Sequence, residues 1–386
     1  MYKLYGDNVH DDYYAIQELL DSRICEVVLP VPKKNYLISK TLKIHSNQTL
    51  VLPRNAVVKL AKNADCAMIE NDDFSVFSYN VGIDGGIWDM NHNFQSPNPY
   101  HFKDKNEKTI FDYYDEDNYD IKTAAKFSER YSGHCIRFCR VNGLHVKNIT
   151  IKNPVVYGVQ VAYLDKFLFT DILFDYTEGS PKLWNMDGIH IEGYCKNGYL
   201  SNLKGACHDD LVAITADDSL YGPIENISVD GIFAEHCHSA VRLLSHGLPV
   251  KNIHISNVFG SYYVYCIGLT KYWGGKDERG IIQNVVIDNV FVSGSEGTAD
   301  VKGGDYPVIW VQSGLDIDNL SLTNIFRNEN ALATPFIQVD NDATIENFVL
   351  NNITQKSNIG KKLPFLVIEG KVGNLIKNNL LDDMAK

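Results

Sequence analysis

Three carboxylates and two imidazoles recur in one part of this chain at intervals that suit stacked strands. Asp187 lies in Asn185-Met186-Asp187-Gly188-Ile189-His190-Ile191, and Asp209 and Asp210 lie in His208-Asp209-Asp210-Leu211-Val212-Ala213-Ile214. His238 lies in His236-Cys237-His238-Ser239-Ala240-Val241-Arg242-Leu243. The steps from Asp187 to Asp209 and from Asp210 to His238 are 22 and 28 residues, and each polar group sits in a short apolar run. If each run is one strand in successive turns of a coil, equivalent residues lie about 4.8 Å apart and the polar groups form a column. Carboxylates this close repel, so at least one is expected to keep its proton above the ordinary carboxylate range, as a general acid must. Cleavage of a glycosidic bond with inversion needs such a protonated carboxyl, with a second carboxylate about 6.5–9.5 Å away to activate water. A simpler reading makes the acids turn residues or a cation site. Any single aspartate fits that reading, whereas the triple spacing together with His238 fits it poorly.

Consecutive strand residues point to opposite faces, so for Asp209 and Asp210 both to face solvent the backbone must bend or bulge there. Around the column an Asn–apolar–x–apolar unit repeats. It appears as Asn148-Ile149-Thr150-Ile151, Asn226-Ile227-Ser228-Val229, Asn252-Ile253-His254-Ile255, Asn284-Val285-Val286-Ile287, Asn319-Leu320-Ser321-Leu322 and Asn347-Phe348-Val349-Leu350. Repeated strands without intervening helical pattern mean a β-solenoid, and the fold expected is all-β, a right-handed parallel β-helix. The asparagines suit turns, since their side chains tolerate left-handed backbone and bond neighbouring main chain. In stacked coils they form ladders. Ahead of the repeats, Asp11 or Asp12 caps a helix striped by Ala15, Ile16, Leu19 and Leu20, which would cover the open end of the coil. Strands are expected at Glu26–Leu29, Tyr36–Ile38, Thr41–Ile44, Thr49–Leu52 and Val57–Leu60. One domain over 1–386 is expected, with a cap at 1–25, regular coils over 140–380 and an insertion at 90–130. That insertion, rich in acids and in aromatics such as Tyr113, Tyr114 and Tyr119, is expected to wall one side of the site.

Composition narrows the partners. Net charge is −12 with 22% charged residues, and nucleic acid is excluded because phosphate binding needs a basic stripe. No apolar run approaches the length of a membrane span. The opening residues lack the apolar core of a signal peptide, so a cytoplasmic location is expected, with secretion or association with a virion left open. The eight cysteines show no metal-ligand spacing. Cys207, Cys237 and Cys266 stand about one coil apart and read as stacked buried thiols. No cofactor and no metal are expected.

The segments Asn185-Met186-Asp187-Gly188, Asp209-Asp210-Leu211-Val212-Ala213-Ile214 and Cys237-His238-Ser239 resemble the family 28 glycoside hydrolases, the polygalacturonase-like pectinases, within the pectate-lyase-like β-helix superfamily. Their pattern is Asn-Thr-Asp, Gly-Asp-Asp, Gly-His-Gly and Arg-Ile-Lys. The resemblance implies Asp209 as general acid, with Asp187 and Asp210 positioning and deprotonating the attacking water. It implies His238 as the partner of the acid and a sugar contact, and Lys271 near the terminal lysine. Here Met186 replaces Thr, His208 replaces Gly, and the Arg of the last motif has no counterpart unless Arg242 approaches from the preceding rung. Substrate contacts are therefore expected from His238, Lys271, Arg242, His208, His190 and Trp273. His190 either reaches the cleft or is a buried turn residue, and Trp184, Tyr272 and Trp310 either stack on sugar or pack.

The reading that results is an inverting glycoside hydrolase of pectin-like or other acidic poly- or oligosaccharides, with exo attack favoured by the insertion and a monomer expected in preference to a trimer. One alternative is a Ca²⁺-dependent polysaccharide lyase or epimerase whose acids ligate the metal. The other is a tailspike-type β-helix that only binds carbohydrate.

Overall fold

The computed structural model describes residues 2–109, 112, 131–177, 184–218, 220–272, 278–297, 303–304 and 306–384. The chain is all-β, a right-handed parallel β-helix with an N-terminal capping helix. It divides into two compact units, Met1–Ile191 and Glu192–Lys386.

In the first unit the helix Tyr13–Asp21 buries Ala15, Ile16 and Leu20. Gln17 ties it to the neighbouring strand in both directions, donating to the Lys43 carbonyl (3.0 Å) and accepting from the Lys43 N–H (2.8 Å). Of the two candidate caps, the side chain of Asp11 bonds the first turn and that of Asp12 does not. Asp11 Oδ1 accepts from the Tyr13 N–H, while Asp12, at the N-cap position, turns its carboxylate to the N–H groups of Tyr5 and Gly6. The strands Glu26–Val28, Asn35–Ile38, Leu42–Ile44, Gln48–Val51 and Val57–Leu60 lie within a residue of the expected limits. They alternate buried positions with half-exposed or exposed ones and pair in parallel, as Asn35–Ile38 does with Val57–Leu60. Of the insertion, residues 110–111 and 113–130, with Tyr113, Tyr114 and Tyr119, lie outside the described residues. Its first part folds back: Tyr100 is buried 5.8 Å from Tyr157, and His101 Nε2 lies 3.1 Å from the Trp184 carbonyl.

In the second unit the strands Asp210–Thr215, Ser239–Leu244, Ile267–Thr270, Ile309–Val311 and Ile337–Val339 stack in register. Val212, Val241, Ile267, Ile309 and Ile337 thereby form one continuous file of fully buried apolar side chains. At a corner of each coil an asparagine takes left-handed backbone, as at Asn226 (φ 59°), Asn252 (φ 56°) and Asn284 (φ 53°). Asparagine amides donate along the stack from Asn374 to Asn347, Asn319, Asn284, Asn252, Asn226 and Asn197, at 2.8–3.1 Å, the last four of these with left-handed backbone. The expected ladder is present, and it satisfies side-chain amides at a bend where the strand ladder is interrupted. The thiols of Cys207 and Cys237 lie 3.7 Å apart, free and buried.

Candidate active site

In the second unit the backbone bends at His208 and Asp209, immediately before the strand that starts at Asp210. The bend expected at the acidic pair is there, but it does not bring both side chains to solvent. The Asp209 side chain is 15% exposed and that of Asp210 is 1% exposed. Asp210 turns inward because two partners wait there. Its Oδ1 accepts from the Tyr265 hydroxyl at 3.0 Å, and its Oδ2 lies 2.6 Å from Arg242 Nε.

Register explains how distant residues meet at that carboxyl. Asp210 pairs with Ser239, and the pairing of Val241 with Ile267 places Tyr265 one rung further on, level with Ser239. The small serine leaves the tyrosine room to reach across. Arg242 is level with Ala213 on one side and Gly268 on the other, and at Gly268 an added Cβ would come within 2.8 Å of the Tyr265 ring. Its Nη2 lies 4.0 Å from Asp218 Oδ2, and its guanidinium carbon sits 5.8 Å from the centre of the Tyr272 ring. Arg242 thus reaches Asp210 from the next rung, the one before that of Lys271, and its charge is engaged by Asp210.

His238 follows a second irregularity. The register between neighbouring strands shifts across Ala234–Cys237, where His236 has φ 51°. His238 Nδ1 ends 2.8 Å from Ser239 Oγ and 3.6 Å from Asp209 Oδ1. The second separation is too long for a hydrogen bond.

Burial drives the Asp210 carboxyl above its usual range and neighbouring Asp209 pushes the same way, while Arg242, His238 and the Tyr265 hydroxyl oppose them. Asp210 therefore keeps its proton beyond the pH at which an isolated aspartate loses it. Asp209 is the member that solvent reaches. Ligand atoms of Asp209, Asp210 and His238 also lie within 4.8 Å of one another. A guanidinium already balances the charge of Asp210, and one of the three donors is an imidazole, whereas Ca²⁺ takes oxygen ligands.

Asp187 and His190 belong to the first unit. The Asp187 carbonyl accepts from the Gly158 N–H (2.9 Å) and the Tyr176 hydroxyl (2.8 Å), which fixes the backbone at the turn. Its carboxylate Oδ2 is 2.5 Å from His190 Nδ1, and both side chains are buried. Of the two sequence readings of His190, the buried one holds: a fully buried ring supports Asp187 and is not placed to touch a sugar.

The other expected contacts divide. His208 is half-buried in the bend. The Lys271 N–H donates to Gln312 Oε1 at 2.7 Å, and its stem passes over Gly314, where an added Cβ would come within 3.0 Å of Lys271 Cδ. Trp273 lies outside the described residues. Trp310 packs, buried, with its indole N–H donating to Asp340 at 2.8 Å. Trp184 and Tyr272 keep large exposed faces. Sequence reasoning missed Tyr265, Ser239 and Asp218. The 26-residue step from Ser239 to Tyr265 is one coil, and that spacing was the available signal.

Residues 113–371 match the family model described as glycosyl hydrolases family 28. No curated protein sequence matches the chain. Among solved structures it is similar to the surface adhesin PfbA of Streptococcus pneumoniae, at 16% identity and TM-score 0.62 over 100% of this chain and 91% of the adhesin. It is similar to a family 28 exopolygalacturonase of Yersinia enterocolitica, at 16% identity and TM-score 0.57 over 96% of this chain and 76% of that one. A third likeness is to the endo-xylogalacturonan hydrolase of Aspergillus tubingensis, at 17% identity and TM-score 0.52, covering 96% and 99%.

Proposed function

The chain belongs to glycosyl hydrolases family 28, and from that premise we propose that it is an inverting glycoside hydrolase of pectin-like or other acidic poly- or oligosaccharides, acting from a chain end. The observation that carries this reading is the environment of the acidic pair. One carboxyl, Asp210, is buried against Arg242 and Tyr265, while its neighbour Asp209 is partly reached by solvent beside His238. Asp209 is the carboxyl placed to pass a proton to a leaving oxygen. Asp209 is the general acid. Ionised Asp210 and, by its family motif, Asp187 take the proton of the attacking water. His238 stabilises the Asp209 carboxylate once its proton has left.

Support for action at a chain end comes from the described part of the insertion, which folds onto the carbonyl of exposed Trp184 three residues before Asp187. The test is product length over time: removal of one terminal unit per event supports end attack, and early mid-length fragments contradict it.

The cation-dependent alternative has one observation in its favour, the proximity of Asp209, Asp210 and His238. Arg242 at 2.6 Å from Asp210 weighs against it, because a metal ion there would meet a fixed positive charge. Full turnover in EDTA separates the two readings.

A further inference from the structure

A buried polar column runs through the first unit behind Asp187, and the proposed reaction uses none of it. Strand register places Lys43 level with Glu70, Glu70 with Arg137, Arg137 with Gln160, and Gln160 with His190. Glu70, Arg137, Gln160 and His190 are at most 4% exposed. The members are linked: Lys43 Nζ lies 2.6 Å from Glu70 Oε2 and Arg137 Nη1 3.2 Å from Glu70 Oε1, and Arg137 Nε donates to Gln160 Oε1 at 3.0 Å. Beside the column three rings lie face to face. His134 is 4.6 Å from Tyr157 and Tyr157 is 4.1 Å from His190, each pair within 4° of parallel. Burial, helped by Arg137 and His190, holds the His134 pKa well below the ordinary histidine value, so that ring is neutral near pH 7.

A parallel stack fixes the plane of His190, and only in that plane does Nδ1 point at the carboxylate 2.5 Å away. Buried polar groups at this density are costly unless each is held by another. A column of five on consecutive rungs, ending three residues from a family catalytic position, is more than the solenoid needs to stack.

We propose that His190 is the positioning residue of Asp187: its Nδ1–H donates to Asp187 Oδ2, and the stacked rings of Tyr157 and His134 fix the imidazole so that the carboxylate keeps one orientation. This rests on the hydrolase reading for what Asp187 does, but the hydrogen bond is measurable without turnover.

His190→Phe keeps a flat ring on Tyr157 and removes the donor, whereas His190→Asn places an amide N–H where Nδ1 stood. The expected result on a pectic oligosaccharide is a fall in kcat of about 100-fold for His190→Phe with KM little changed, and recovery of most of that loss in His190→Asn. In the proton NMR spectrum the wild type should show a far-downfield imidazole resonance that is absent from His190→Phe and moves upfield in Asp187→Asn. Wild-type kcat in His190→Phe overturns the proposal, as does equal loss in the Phe and Asn variants. If His190→Phe does not fold, the wild-type resonance and its response to Asp187→Asn decide, and its absence overturns the proposal. The resonance in a wild type with no turnover on any pectic oligosaccharide supports the hydrogen bond and contradicts the hydrolase reading alone.

Discussion

Asp210 carries two opposing demands. Burial favours its neutral form, and Arg242 at 2.6 Å favours its charged form. Removing the cation therefore raises the pKa of Asp210. In Arg242→Gln the acid limb of the pH–rate profile, which reports ionisation of this base-side carboxyl, should move to higher pH. A pH–rate profile of kcat in both proteins checks this, and an unmoved or downward-shifted acid limb would contradict the coupling. At this scale the sequence was informative about residue types and less so about orientation. Asp209, Asp210 and His238 were legible from spacing, and register puts them on adjacent rungs. That Asp210 points inward was not legible, since it depends on Tyr265 a full coil away and on small residues at Ala213, Ser239 and Gly268 that make room for its partners.

Elements were the most legible level, because a strand with one buried face writes its period directly into the sequence. The asparagine corners add a conformational signal. Asn252 combines left-handed backbone with amide bonds to Asn226 and Asn284. Asn252→Ala should lower stability by about 1–2 kcal/mol, from left-handed strain and lost hydrogen bonds. Asn252→Gly, free of the strain, should cost less. Thermal unfolding of the two variants checks the order, and equal loss would assign the whole effect to the hydrogen bonds.

A second element-level feature was invisible in the sequence. Arg327 and Glu329 form a fully buried ion pair at 2.7 Å on the strand Leu315–Glu329. Burial pushes the Glu329 carboxyl up, but Arg327 and the N–H groups of Leu332 and Ala331 outweigh it, and its pKa ends below the ordinary value. A depressed pKa means stability that is present above the unfolded carboxyl value, about 4.3 for glutamate, and lost as pH falls through the folded value. Glu329→Gln leaves Arg327 buried without its counter-charge and should cost about 3–5 kcal/mol at pH 7. The gap between wild type and variant should narrow on acidification below pH ~4.3. Denaturant titrations at both pH values check it, and a gap independent of pH would contradict the linkage.

For the whole molecule, the β-helix followed from repetition and the family from the order of three short motifs. What sequence could not convey at this scale is choice of chemistry, because one solenoid supports unlike activities. The similar structures include an adhesin, an exo-acting polygalacturonase and an endo-xylogalacturonan hydrolase. The proposed chemistry therefore rests on the acidic pair and its guanidinium, and stereochemistry tests it most directly. Proton NMR of a pectic oligosaccharide digest, recorded in EDTA before mutarotation, reads the configuration of the newly formed reducing end. An inverted anomer is expected, undiminished by EDTA and abolished in Asp209→Asn. A retained anomer, an unsaturated product that requires a divalent cation, or full turnover by Asp209→Asn would contradict it.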